Sequence, residues 1–147
     1  MKEKGLVVTL AIAISVIAIN FGSALYNVSA ANTRDHVYTF DYCGDGADLA
    51  TATRSKGDYS SAYAKNTSDH CAHLISVAGY QTNTNTPPAI SFTNCTANGG
   101  YIRVEKGTAK YLPSYVKEWG YKYAYLVVQP ELHGKCKVTG LWSPDSI

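Results

Sequence analysis

The chain has 147 residues, 46% of them hydrophobic and 16% charged, with a formal net charge of +2. That length supports one domain, and the low charge excludes a self-repelling disordered chain. The near-neutral balance also argues against a nucleic-acid binder that works by neutralising phosphates. Twelve tyrosines stand against three phenylalanines and one methionine, a bias that suits half-wet β surfaces.

The N-terminus reads as an address. Met1-Lys2-Glu3-Lys4 is a short lysine-bearing start, and Leu6 to Ile19 is an apolar run interrupted only by Thr9 and Ser15. Such a run fits a secretory leader better than a membrane span of about 20 residues. Val28-Ser29-Ala30 places small residues at the −3 and −1 positions, so residues 1–30 are expected to be a signal peptide cut between Ala30 and Ala31. Residues 31–147 then form a single secreted domain with no transmembrane segment.

Period-two patterns dominate that domain. In His36–Tyr42, Tyr38, Phe40 and Tyr42 share one face. Ala50–Arg54 is a weak strand, and Ser60–Ala64 reads as its return after the Lys56-Gly57-Asp58 turn. Cys71–Tyr80 is stronger, with Gly79 a candidate bulge. Ala89–Thr93 alternates, Asn98-Gly99-Gly100 signals a hairpin turn, and Tyr101–Lys106 alternates again.

Pro113 to Trp119 predicts one short helix, because Pro suits a helix start, Gly120 its end, and Leu112, Val116 and Trp119 form a stripe. Tyr121–Gln129 is apolar on both faces, as in a central strand. Lys135–Trp142 closes the chain. The expected fold is all-β, an antiparallel β-sandwich with one short helix.

Four cysteines in an exported chain predict two disulfides among Cys43, Cys71, Cys95 and Cys136. The favoured pairs are Cys71–Cys95 and Cys43–Cys136. Pairing would remove every thiol nucleophile.

Asp69-His70-Cys71-Ala72-His73 is the densest group of ligand-type side chains. A strand would divide its histidines between two faces, so a disulfide cysteine among surface histidines is preferred to a zinc site. No metal and no cofactor is expected. His36 and His133 are isolated, and the chain lacks G-x-S-x-G, H-E-x-x-H and S-x-x-K. Asp41, Glu105, Glu118 and Glu131 are the carboxylates from which a glycosidase-type pair would have to come.

Tyrosine is the most suggestive residue type. Tyr38, Tyr42, Tyr63, Tyr101, Tyr123 and Tyr125 fall on predicted strands. Tyr offers contact area at low entropy cost and stacks on sugars or peptides. These six are the candidate binding residues.

Thr53–Tyr63 resembles an R-x-K-x-D-x-S-S-x-Y stretch of a family of small exported Gram-positive bacterial proteins of unknown function. Gly140–Ile147 resembles that family's G-x-W-S-P-D-S terminus, and Tyr115–Ala124 its Y-V-x-E-x-G-Y-x-Y-A segment. The resemblance covers residues 36–147 and implies a secreted β protein, with no catalytic residues to carry over. A more distant likeness is to bacteriocins of the lactococcin-972 type.

The leading expectation is a secreted, non-enzymatic binding protein that engages a cell-envelope component, a cell-wall glycan or a surface protein through a Tyr-rich face. The alternatives are a bacteriocin-like or immunity-associated antagonism protein and a small secreted hydrolase.

Overall fold

The computed structural model describes residues 31–88, 92–132 and 134–147. The predicted leader, residues 1–30, lies outside them, as do His133 and most of the predicted Ala89–Thr93 strand.

Ten strands make two antiparallel sheets among the described residues. The first sheet has four strands in the order β1 (His36–Tyr42), β10 (Cys136–Ser143), β4 (Ala62–Asn66), β8 (Ala109–Leu112). The second centres on β9 (Tyr123–Pro130) and β5 (His73–Tyr80), which pair along eight residues from His73↔Pro130 to Tyr80↔Tyr123. Two short strands, β2 (Leu49–Ala50) and β3 (Arg54–Ser55), line the far edge of β9, and β6 (Thr93–Asn94) and β7 (Ile102–Val104) line the far edge of β5. The expectation of an all-β antiparallel fold holds.

Strand alternation explains the core. Tyr38, Tyr42, Val138, Trp142, Ala62, Ala64 and Leu112 come from the first sheet. They share one cluster with Ile75, Val77, Ala124, Leu126, Val128 and Val104 of the second. The expected two-sided burial of the Tyr121–Gln129 segment is seen in β9, where Ala124 to Val128 are all buried. Ala124, Leu126 and Val128 face the shared core, while Tyr125 and Val127 enter a second, smaller cluster with Ala78 on the outer face.

The predicted helix at Pro113–Trp119 is not formed. Ser114 bridges Thr96, and the Tyr115 N–H donates to the Cys95 carbonyl at 2.7 Å. The start of the segment is thereby committed to neighbouring chain. What remains closes as one turn, with Trp119 N–H donating to the Tyr115 carbonyl at 2.9 Å and Gly120 at φ +81°. One turn fixes several dihedrals for a single helical bond, so it does not propagate. Leu112 and Val116 are buried, but Trp119 is 52% exposed, its ring tilted against that of Tyr115 at 5.7 Å.

Two other expectations change. Asn98–Gly100 does turn, with Gly99 at φ +70°, yet it joins no hairpin. β6 and β7 both run along β5 in the same direction, and residues 95–101 form an excursion between them. Its base is held by Cys95 N–H on the Val77 carbonyl (2.8 Å) and by Val77 N–H on Thr96 Oγ1 (2.9 Å). Gly79 marks no bulge, since it stays in register with Ala124. It is glycine because a Cβ there would run into the Tyr121 ring.

The Thr53–Tyr63 segment and the C-terminus, far apart in sequence, meet in space. Lys56 Nζ lies 2.7 Å from Asp145 Oδ1, and both side chains are essentially inaccessible. Asp145 Oδ2 also accepts from Asn32 N–H (2.6 Å) and Gly57 N–H (2.8 Å), while Lys56 donates to the Ser60 carbonyl at 2.5 Å. Arg54 adds a bond to the Trp142 carbonyl (3.1 Å) and sits 5.5 Å from the Trp142 ring. Strong charge-assisted bonds offset the cost of taking this pair out of water.

Asp145→Ala should therefore destabilise the domain by about 3–5 kcal/mol, because it strands a buried ammonium. Arg103→Ala removes a surface network with Glu105 and Glu131, in which Arg103 is 48% exposed. Its cost should stay below about 1 kcal/mol. Urea unfolding of the two variants measures the contrast.

Candidate functional site

The outer face of the second sheet gathers aromatic side chains. Along β9, Tyr123, Tyr125 and Val127 alternate with the core-facing Ala124, Leu126 and Val128. Along β5 the same face carries Ser76, Ala78 and Tyr80. Register sets Tyr80 beside Tyr123 and the small Ala78 beside Tyr125. The space left by Ala78 lets the Tyr80 and Tyr125 rings meet edge to face, 6.2 Å apart at 88°.

Phe92 and Tyr101 complete the patch against the Ala78–Tyr125–Val127 cluster. Two depressions flank Phe92, and Tyr125 lines both. One, of about 400 Å³, carries Tyr80, Gln81, Thr82, Thr93 and Tyr121. The other, of about 160 Å³, carries Asp48, Pro87, Pro88 and Val127. Burial pushes the Tyr125 hydroxyl up to about 12, so it stays protonated at neutral pH. Tyr101 donates to the Asp48 carboxylate at 3.2 Å, and burial followed by that neighbouring charge raises its pKa. Tyr121 bonds Thr93 Oγ1 at 3.2 Å, and Gln81 Nε2 donates to the Gly120 carbonyl at 3.2 Å. The patch thus combines aromatic faces with amide, hydroxyl and carboxylate groups at its rim.

The six tyrosines singled out in the sequence divide three ways. Tyr101, Tyr123 and Tyr125 lie on this face. Tyr63 lies on the outer side of the first sheet beside Tyr111, their rings 6.0 Å apart. Tyr38 and Tyr42 are each 4% exposed and belong to the core. Tyr80, Tyr121 and Phe92 join the site although the sequence reading did not select them. Tyr80 carries the same period-two phase as Ala78. Its place beside Tyr123 follows from cross-strand register, which periodicity within one strand does not encode.

Tyr38 has a different task. Its register partner is Gly140, and a Cβ on Gly140 would collide with the Tyr38 ring. The ring therefore lies over β10 and reaches the other sheet, where its hydroxyl is 3.0 Å from His73 Nδ1. His73 Nε2 is 3.0 Å from Ser68 Oγ. Ser68 Oγ also bonds the Thr139 carbonyl (3.2 Å) and accepts from Thr139 N–H (2.8 Å).

One proton arrangement satisfies every partner in this chain. Tyr38 donates to Nδ1, Nε2–H donates to Ser68 Oγ, and Ser68 donates to the Thr139 carbonyl. Burial keeps the Tyr38 phenol protonated and lowers the His73 pKa to about 4. In this arrangement His73 Nε2–H donates a hydrogen bond to Ser68 Oγ and accepts none from it. The imidazole is thus a neutral strut between the sheets.

The other chemical clusters resolve similarly. Within Asp69–His73, His70 is exposed, Cys71 is buried, and both ring nitrogens of His73 are occupied within the protein. No group of three His, Cys, Asp or Glu with metal-binding geometry occurs among the described residues. Glu105 and Glu131 both pair with Arg103 on the surface.

The predicted disulfide pairs are corrected by position. No disulfide joins any two cysteines of the described residues. Cys95 sits opposite Val77, whereas Cys71 precedes Val77 by six residues. That offset is roughly 20 Å along a strand, far beyond the about 7 Å Cα reach of a disulfide. Cys43 is exposed and follows Tyr42, which is the register partner of Cys136. Alternation turns Cys43 to the face opposite the buried Tyr42, whereas Cys136 packs against the core on the side of Tyr42.

The class defined by these features is a small two-sheet antiparallel protein with an aromatic outer face. The chain belongs to the family described as protein of unknown function (DUF2712), which matches residues 26–146. No curated protein and no solved structure matches it.

The buried strut carries a pH signature. Below its usual value, a buried histidine's pKa means that the unfolded chain binds the proton more readily. The contribution of His73 is therefore complete above about pH 6.5. It is lost progressively as pH falls towards about 4. Urea midpoints should drop across this window in the wild type, and His73→Gln should flatten that part of the drop while lowering stability throughout.

Proposed function

We propose that the protein is exported and binds a glycan of the cell envelope without chemical turnover, through the outer face of the β5–β9 sheet. The observation that carries this reading is the convergence of Tyr80, Tyr101, Tyr123, Tyr125 and Phe92 on one face, flanked by Gln81, Thr82, Thr93 and Asp48. A sugar ring presents apolar C–H groups on its faces and hydroxyls around its edge. Aromatic side chains cover the faces, and amide, hydroxyl and carboxylate groups bond the edge. The same side chains would not suit a strongly anionic ligand, because among the described residues the two depressions are lined by Asp48 and by no Lys or Arg.

Export is supported by the lysine-bearing start, the Leu6–Ile19 apolar run and the small residues before Ala31. Among the described residues no helix is long and apolar enough to cross a membrane. The intact mass of the protein recovered from the medium of an exporting host should correspond to a chain beginning at Ala31. Retention of the leader in that material overturns this part of the proposal.

Binding is tested by co-sedimentation of the purified protein with insoluble peptidoglycan and with wall polysaccharide. The wild type should sediment with at least one of them. Phe92→Ser and Tyr80→Ala should each weaken retention about tenfold, equivalent to about 1.4 kcal/mol. Tyr63→Ala, on the other sheet, should leave it unchanged. Thermal melts of each variant separate loss of binding from loss of fold. Equal retention of all four proteins, or none by the wild type, defeats the reading.

A further inference from the structure

The first sheet ends in β1, and one side of that strand is open. Its partner β10 shows which side. The Thr139 carbonyl accepts from Thr67 N–H at 3.0 Å, and Thr139 N–H donates to Ser68 Oγ at 2.8 Å, so both groups are turned away from β1. Opposite residues of an antiparallel pair alternate between exchanging two bonds and exchanging none. Thr39, the register partner of Thr139, therefore exchanges none with β10. By the same alternation Tyr38 and Phe40 bond β10, while Val37, Thr39 and Asp41 point their N–H and carbonyl groups out of the sheet. None of these three finds a backbone partner among the described residues.

Proteins blunt such edges with brevity, Lys or Pro. The other edges of the described residues follow that rule. β8 has four residues, carries Lys110 and runs into Pro113. The edge strands of the second sheet are two or three residues long. β1 runs for seven residues without Lys, Pro or Gly.

A groove of about 350 Å³ follows this open edge. Residues 36–40 of β1 form one wall and residues 50–54, at the margin of the second sheet, form the other. The far wall makes no claim on β1, since Thr51 N–H donates to the Leu126 carbonyl at 3.0 Å and Thr53 N–H to the Thr84 carbonyl at 3.2 Å. Its Ala50 and Ala52 leave room for side chains entering beside Phe40. The His36 end is positive. Burial, then Arg54 and Arg34, lower the His36 pKa. Of the carboxylates near Arg54, Asp145 is spent on Lys56, which leaves Asp35 against two arginines.

We propose that this groove binds an extended peptide, which adds as a further strand to the free edge of β1 and carries a carboxylate at the end beside His36. Outward N–H and carbonyl groups recurring about every 7 Å are the complement of an extended backbone. Main-chain bonds supply the affinity, and alternate side chains entering the groove supply the selectivity. The groove adjoins the aromatic face at Ala50 and Pro87 but offers backbone where that face offers rings.

The purified full chain serves as bait for a displayed library of random heptapeptides, after counter-selection on Thr39→Pro. Proline there removes an outward N–H and no bond to β10, so the sheet should stand, as a thermal melt checks. Enriched peptides with Asp or Glu at one end are expected. A synthetic copy should bind Thr39→Pro about tenfold more weakly than the wild type, through the loss of one or two main-chain bonds. N-methylation of one alternate set of its amides should abolish binding, and of the other set leave it intact, because only alternate N–H groups face β1. That scan uses the wild type, so it decides the matter even where Thr39→Pro fails to fold. No enrichment overturns the proposal, as do enriched sequences without an acidic end, equal affinity for a folded Thr39→Pro, or an equal response to both N-methyl sets. A wild-type dimer that Thr39→Pro dissolves, with no peptide bound, gives the edge to a second copy and overturns it as well. No glycan enters the experiment, so its outcome is separate from that of the sedimentation test.

Discussion

The buried Lys56–Asp145 pair is the fastening on which the arrangement of the two sheets depends. Lys56 follows directly from β3, at the edge of the second sheet, and Asp145 follows from β10, in the middle of the first. Neither charge is tolerable in a core alone. Together, with backbone N–H groups from Asn32 and Gly57 on the second carboxylate oxygen, they satisfy one another. Arg54 extends the same join by holding the Trp142 carbonyl and lying against its ring. Residues 142–145 are thereby buried, and the interior can close over Trp142.

At the other end of the interior, a neutral device does the equivalent job. Tyr38, His73 and Ser68 form a line of hydrogen bonds from β1 to the backbone of β10 by way of β5. Gly140 makes that route possible by leaving room for a ring. The protein thus joins its sheets by charge at one end and by directional neutral bonds at the other, with apolar packing between. The polar joins also specify register, because a slip of one residue would misplace every partner.

Legibility in the sequence followed how strongly one side of an element is buried. β1 and β10 carry clear alternation because their inner faces meet the core, and the tyrosines of β1 announce it, while β9 announces itself by being apolar on both faces. β8 carries almost none, since Ala109, Lys110 and Tyr111 are exposed and only Leu112 is buried. Its strand conformation comes from pairing with β4, a tertiary fact. The Pro113–Trp119 segment had the spacing and end signals of a helix and lost it to bonds with Thr96 and Cys95. The aromatic face was half legible. Alternation placed Tyr123 and Tyr125 together, but their meeting with Tyr80 required the register of β5 on β9, and the place of Phe92 against them is a tertiary fact. The cysteines show the same limit, because which thiols meet depends on where strands lie side by side.

The pairing of β1 with β10 has a kinetic meaning. His36 is matched with Trp142, so the first strand of the domain finds its neighbour only in the last. β4 joins β1 through β10 as well, and the side-chain carboxylate of Asp145, which neutralises Lys56, follows β10. Contacts this distant along the chain must overcome a large loop-closure entropy before they are rewarded, which slows folding. Until residues 136–145 are in place, the first sheet is incomplete and Lys56 has no partner with which to leave water. Closure of the first sheet and neutralisation of Lys56 therefore both wait on one stretch, residues 136–145, so a cut or a block there should cost the domain its interior and not an edge alone.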